Sequence, residues 1–257
     1  MAEADFIACA DLVQRGDPDR FMAVMAAPVA ARDLLFALYA ANVEIARAPW
    51  VTQEEMIAEM RLQWWRDAFE ALGQGREPRG SEVTAALAEV LPADQAGLMD
   101  QLCAARRWDI YKDPFEDAAD FEGYLQDTSS NLLQVAVNVL GGGDADVVRD
   151  LGYAQGLANF LRAIPALEQS GRVPLLDGRP EAVQALAAGG LERLARARRR
   201  RSDIHRDAAP VLLAGWLAGP VLKRAVDNPM AVLDEALLPS EAAKRFGLMW
   251  RSVSGRW

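Results

Sequence analysis

The chain has 257 residues, about half of them hydrophobic, enough to bury a substantial core in one large domain. Its 28 Lys and Arg against 37 Asp and Glu leave a formal net charge of −9, which excludes nucleic acid as a bulk electrostatic partner. Two cysteines and a single histidine, His205, exclude a disulfide scaffold, a histidine-rich metal site and a His-dependent nucleophile triad, leaving carboxylates, amides, arginines and aromatics for any chemistry.

Nearly every segment carries a period of about 3.6 residues, and the punctuation is helix caps rather than hairpin turns, so the expected fold class is all-α, a single domain over 1–257. The N-terminus carries acids where a secretory leader would carry bases, and Phe6, Ile7, Ala10 and Val13 are spaced as an amphipathic helix; a mature, cytoplasmic chain is expected. Asp17-Pro18 is an N-cap followed by proline at the first helical position, and Pro28 opens a longer helix that Pro49 closes. Within it Leu35, Leu38, Asn42 and Ile45 follow a helical period, which puts a lone amide in an apolar stripe. Thr52 and Glu55 read as the capping box of the next helix, on which Met60, Trp64 and Ala68 form a stripe widened by Trp65 and Phe69.

A loop is expected over 73–80, then a short helix capped by Ser81 and ending at Pro92, then a helix over about 93–111 broken by Pro114. Residues 118–140 read as one long helix with an unusual polar middle, Asp127 to Asn131, stopped by the glycines at 141–143. The next runs from Ala145 to about Gln169, with Pro165 expected to kink or end it, and 171–180 is a loop. Helices over 191–206, over 208–226 and from about Ser240 complete the chain. The apolar run 210–222 is short of the roughly 20 residues that span a bilayer and reads as a core helix.

Two basic features stand out in this acidic chain. Arg198 to Arg201, flanked by Arg193, Arg196 and Arg206, is the densest charge, read first as a solvated helix face and alternatively as attraction to an anionic membrane. The C-terminal stretch interleaves Phe246, Leu248, Met249, Trp250 and Trp257 with Lys244, Arg245, Arg251 and Arg256, the composition of an interfacial helix. Arg245, Phe246, Trp250, Arg251 and Trp257 are thus candidate membrane contacts, with simple docking on the core as the alternative. Cys103 reads as a buried apolar residue and His205 as a structural or surface residue. Asp109, Asp113 and Asp117 are spaced i, i+4, but Pro114 interrupts them and they make no strong metal site.

Four blocks in order carry a family resemblance: Phe36 to Ala40, Leu62 to Arg66, Asp109 to Phe115, and Gly156 to Arg162 followed by Gly171-Arg172-Val173. Over about residues 18–180 they resemble the squalene/phytoene synthase family. The resemblance implies the isoprenoid synthase fold, a helical bundle around a central cavity. It also implies two DxxxD motifs on facing helices that hold Mg²⁺ against a prenyl diphosphate, since hard divalent cations take carboxylate oxygens. Aligned without gaps, Ala46 and Trp50 stand at the first motif and Ala163 and Leu167 at the second. The expectation is a pseudoenzyme with no catalytic residue, no metal ligand and no cofactor. Candidate cavity residues are Asn42, Glu44, Ala46, Gln63, Asn131, Asn138, Asn159, Arg162 and Ala163.

Residues 41–47 with 60–65 resemble a non-catalytic branch of that family that includes a mitochondrial complex I assembly factor. This implies a respiratory-complex subunit or membrane surface as partner, peripheral attachment at the inner membrane, and an isoprenoid or other lipid as a further candidate ligand. The alternatives carried forward are an Mg²⁺-dependent head-to-head prenyltransferase with displaced metal ligands, and a lipid carrier.

Overall fold

A computed structural model describes residues 2–257 other than Gln53 and Arg79. The described residues form twelve α-helices joined by short 3₁₀ turns, with no strand and one isolated backbone bridge between Gly143 and Ile204. In order they are α1 (Ala2–Gly16), α2 (Pro18–Ala26), α3 (Val29–Arg47), α4 (Glu55–Gly73), α5 (Glu82–Val90), α6 (Ala96–Ala105), α7 (Ala118–Leu125), α8 (Asn131–Val139), α9 (Ala145–Gln169), α10 (Pro180–Arg199), α11 (Ala218–Asp227) and α12 (Glu241–Ser254). Local chemistry sets many of the starts. Asp17, Ser81, Asp117, Asp144 and Ser240 each accept hydrogen bonds from backbone N–H groups of the first turn, which would otherwise lack partners.

The centre is built on α3 and α9. From Leu34 to Val43 every residue of α3 is buried, and α9 buries most of its length from Val147 to Leu167. A helix apolar all round belongs in the middle of a core, and both are covered by neighbours: α1, α5 and α8 against α3, and α10, α11 and α8 against α9.

Several expectations are corrected. Thr52 does not cap α4: its Oγ1 accepts from the Glu54 N–H at 3.1 Å, one residue outside the helix, and α4 begins at Glu55 without a side-chain cap. Its core face is Ala58, Leu62, Trp65, Phe69 and Leu72, whereas Met60 and Trp64 are exposed beside Val51 and Ile57 along a groove. Pro165 does not end α9, which continues to Gln169. The helix expected from Leu191 begins at Pro180. The stretch 208–226 is divided between 3₁₀ turns over Ala209–Gly215 and α11, and although 209–227 is long and apolar enough to cross a membrane, more than half of its most apolar window is buried within the fold.

The helix expected over 118–140 is interrupted at its polar middle by a π-helical turn, Gln126–Ser130, between α7 and α8. There Thr128 Oγ1 donates to the Tyr124 carbonyl at 2.6 Å and Ser130 Oγ to the Arg149 carbonyl at 3.2 Å, so the hydroxyls serve backbone acceptors. The turn packs on α9 where Gly152 and Gly156 remove side chains: a Cβ at Gly152 would lie 2.5 Å from Ser130 Cα, and one at Gly156 2.8 Å from Ser129 Cβ.

Candidate functional site

A cavity of about 620 Å³ opens between the α1–α2 corner, the C-terminal part of α3, α9, and the segments around 214–218 and 232–238. Five sequence candidates line it: Asn42 and Ala46 from α3, and Asn159, Arg162 and Ala163 from α9. Gln155, Asn159 and Arg162 sit at i, i+4 and i+7, so one face of an otherwise apolar helix presents two amides and a guanidinium to the same space.

The other four candidates lie elsewhere. Glu44 is half-buried in the α4 groove with Arg47, Arg61 and Trp64. Gln63 is exposed and donates to Asp67 at 2.7 Å, Asn131 donates to Gln101 and Asp127, and exposed Asn138 bonds Gln95 and Gln134. These three amides are bonded to neighbours and lie outside the cavity; Gln63 borders a separate hollow with Arg66 and Asp100.

Sequence reasoning missed Asp19, Arg20, Arg106, Gln155, Trp216 and Glu235, which complete the polar wall and part of the apolar one. The i, i+4, i+7 pattern of Gln155 with Asn159 and Arg162 was the available signal for one of them.

The charges are organised in pairs. Arg20 donates to its own cap residue, Asp17, at 3.1 Å and lies over the Tyr39 ring with its guanidinium carbon 5.2 Å from the centroid. Arg162 reaches Asp19 at 3.3 Å, and the same carboxylate takes Lys244 from α12 at 2.6 Å. Arg106 donates to Asp109 at 3.0 Å and to the Tyr124 hydroxyl at 2.9 Å, and that hydroxyl donates onward to Asp109 at 2.9 Å. Burial pushes the Tyr124 phenol well above its ordinary range, so it stays a donor to Asp109. Burial works against the charge of Arg106, but Tyr124 and Asp109 outweigh it and raise its pKa. Four buried polar atoms of cavity-lining residues make no hydrogen bond in the protein: Arg20 Nε, Arg106 Nε, Asn42 Oδ1, and Asp19 Oδ1, which faces the Lys244 ammonium at 2.6 Å. Leaving such a group unpaired costs about 1–3 kcal/mol.

Behind Arg106 stands an aromatic cluster, with Trp108 stacked on Phe115 at 4.1 Å and Phe121, Tyr124 and Phe160 around them. Arg172 locks it from outside: its guanidinium donates to the carbonyls of Trp108, Asp109 and Tyr111 and lies near the rings of Trp50 and Trp108. The blocks 109–115 and 171–173 are therefore one physical unit.

The donor set does not suit a divalent cation. Among the described residues no group of three or more His, Cys, Asp or Glu side chains is arranged to hold a metal. Of the cavity carboxylates, Asp17 and Asp19 already face guanidinium or ammonium groups.

At the C-terminus, Trp257 is corrected from a membrane contact to a buried residue, 3 % exposed: Arg201 lies over its ring, and Arg198 and Arg201 both donate to its carbonyl at 2.9 Å. Burial lowers the Arg198 pKa to about 10. The arginine run is thus partly an internal clamp; Arg200 pairs with Asp144 and Asp203. Arg251 is half-buried and donates to the Gly247 carbonyl, whereas Arg245, Phe246 and Trp250 are exposed.

Comparison with known proteins agrees with this architecture. The chain is 31% identical over 180 residues to a NADH dehydrogenase (ubiquinone) complex I assembly factor 6 homolog of Drosophila melanogaster, covering 65% of this chain and 53% of that protein. It is 28% identical over 163 residues to the Homo sapiens complex I assembly factor 6, covering 61% and 48%. The chain thus spans about half the length of the curated relatives it matches. Among solved structures it is similar to a dehydrosqualene synthase in complex with ligand (TM-score 0.78, 17% identity, 98% of this chain and 96% of that one). A squalene synthase of Alicyclobacillus acidocaldarius follows at TM-score 0.67, 17% identity, 95% and 94%. These two show the isoprenoid synthase fold. The squalene/phytoene synthase family pattern matches residues 13–177, and the chain belongs to that family.

Proposed function

We propose that the chain is a non-catalytic member of the squalene/phytoene synthase family that works as an assembly factor for a respiratory complex of the complex I type. The observation that carries the first part is the presence of Ala46 and Ala163 on the cavity wall. By the family resemblance these positions belong to the two metal-binding motifs, and a methyl group cannot ligate a divalent cation or help neutralise a departing diphosphate. The engaged state of Asp17 and Asp19 supports the same reading, because guanidinium and ammonium groups occupy the field a cation would need. The relatives named as complex I assembly factors support the second part. On this reading the chain acts at the inner membrane surface, through protein or lipid contact.

Two measurements test it. Purified protein given farnesyl or geranylgeranyl diphosphate with Mg²⁺ should form no condensed product; turnover refutes the non-catalytic reading and revives a prenyltransferase with displaced ligands. Deleting the gene in its own cells should deplete assembled complex I on native gels, with recovery on re-expression. Normal complex I levels in the deletion sink the assembly reading.

A second reading, carriage of an isoprenoid or other lipid, is favoured by the cavity wall of Trp216, Leu217, Val232, Leu237 and Leu238 beside the polar side chains of Gln155, Asn159 and Arg162. An apolar pocket with a few convergent polar groups suits an amphiphile. Native mass spectrometry of protein taken from cells should show a bound lipid; protein that is lipid-free when gently isolated removes this reading.

A further inference from the structure

The C-terminal helix is built inside out. Its packing side against α2 and the 209–215 segment is largely polar: Lys244 is buried on Asp19 and Glu241, Arg251 is half-buried, and Leu248 is the one apolar side chain of α12 that is fully buried. Its solvent side carries Phe246, Met249, Trp250 and Val253, which are 64, 56, 62 and 83 % exposed. These positions are i, i+3, i+4 and i+7, one continuous stripe. A helix of a water-soluble protein turns its apolar stripe to the core; here four large apolar side chains point the other way.

Further exposed apolar side chains lie on and just beyond the element that α12 packs against. Ser252 Oγ donates to the Ala26 carbonyl at 3.4 Å, which sets α12 beside the corner between α2 and α3, where Met25 and Val29 are 46 and 73 % exposed. Exposed cations accompany the helix and the corner. Arg245 and Arg256 are exposed, and Arg206, 90 % exposed in its side chain, borders a hollow shared with Pro28 and Ser252. Of the neighbouring acids Glu241 faces Lys244, and Asp207 faces His205 and also Arg206 at 3.5 Å, which leaves Arg245 and Arg256 as the arginines of this face without an ion-pair partner among the described residues. In a chain of net charge −9 this face therefore joins apolar side chains to cations.

We propose that the outer face of α12, with Met25, Val29 and the arginines at 206, 245 and 256, is a docking surface for an anionic lipid bilayer. Apolar side chains flanked by guanidinium groups match the interface of such a membrane, where rings and thioethers enter the acyl boundary and arginines stay among the headgroup phosphates. Trp250 suits this depth, being apolar in its body with one N–H donor. The inference does not depend on the assembly role, since it is read on the purified chain alone.

The test is co-sedimentation of the full chain with phosphatidylcholine vesicles, with and without roughly a third of phosphatidylglycerol, at two salt concentrations. Wild type should sediment with the anionic vesicles, less so at high salt, and not with phosphatidylcholine alone. Phe246→Glu with Trp250→Glu should weaken binding by at least about tenfold. Arg245→Gln with Arg256→Gln should weaken it by about fivefold per arginine. The changed side chains are exposed, so melting temperatures should match wild type and separate lost binding from lost folding. Met60→Glu, in the apolar groove beside α4, should bind as wild type. The proposal is overturned if wild type ignores anionic vesicles or binds neutral ones equally. It is equally overturned if the Phe246/Trp250 variant binds undiminished, if Met60→Glu loses as much, or if the Phe246/Trp250 variant loses only a protein partner while keeping its vesicle binding.

Discussion

Gly152→Ala should destabilise the protein although it replaces a poor helix former with the best. The gain in propensity is about 1 kcal/mol. Against it, the new Cβ would stand 2.5 Å from both Cα and Oγ of Ser130 and 2.8 Å from its Cβ, where carbon atoms rest at about 3.5–4.0 Å. Ser130 cannot rotate its own Cα aside, so α9 and the π turn must separate, straining the Ser130–Arg149 hydrogen bond. Overpacking of this kind costs about 1–3 kcal/mol, and contact with backbone puts it at the upper end. The net loss is about 1–2 kcal/mol, roughly 3–6 °C in melting temperature for a chain of this size. Gly189 on α10 supplies the control, because a Cβ there meets nothing within 4 Å, and Gly189→Ala should raise stability by up to about 1 kcal/mol. Both are read by circular dichroism on heating and in urea. If Gly152→Ala melts at or above wild type, the close approach of α9 to the π turn is wrong.

Three more outcomes are expected. Arg172→Ala should cost about 2–3 kcal/mol, since it abandons charge-assisted bonds to the carbonyls of Trp108, Asp109 and Tyr111, and Arg172→Lys should recover little because an ammonium lacks the planar fork; urea unfolding of both variants checks this. Asp109→Ala should cost about 3–5 kcal/mol by leaving Arg106 and Tyr124 without their buried anion, again by urea unfolding. Glu44 has its pKa raised by burial and by Glu82, so its folded pKa lies above its unfolded one: its favourable contribution is present below the model-peptide value of 4.5 and lost as pH rises through the folded value. Glu44→Gln should therefore melt higher than wild type at pH 7, with the difference shrinking as pH falls towards 4.5.

What could be read from the residues was local. Asp17-Pro18 and Ser81 announce helix starts because a cap needs only its own first turn. Asn42 and Ala46 fall on one face of α3 and Asn159, Arg162 and Ala163 on one face of α9, so helical spacing and the family blocks reached the part of the cavity wall that these two helices supply. Much of the rest arrives from a distance: Arg106, Trp216 and Glu235 belong to elements with no sequence relation to α3 or α9. On α4 two apolar stripes compete, one through Met60 and Trp64 and one through Leu62 and Trp65. Only the position of α6, which covers the second, decides between them. Trp257 failed similarly, because composition reads tryptophan among arginines as an interface, whereas the arginines that bury it lie 56 and 59 residues earlier.

The π turn has a consequence for how one continuous rod of helix serves two sets of neighbours. Each α-helical residue advances about 100° around the axis, so one extra residue in a turn rotates everything after it by that angle. Before the turn, Phe121 and Tyr124 of α7 face the aromatic cluster with Phe160; after it, Leu132, Leu133 and Ala136 of α8 are buried where α8 meets α3, α6 and α9. The phase between these two faces is fixed by residue count. Removing a single residue from 126–130 would leave every side chain in α8 chemically unchanged and turned about a quarter of a revolution from its partners. The length of this segment, more than the identity of most residues in it, is therefore what the bundle requires.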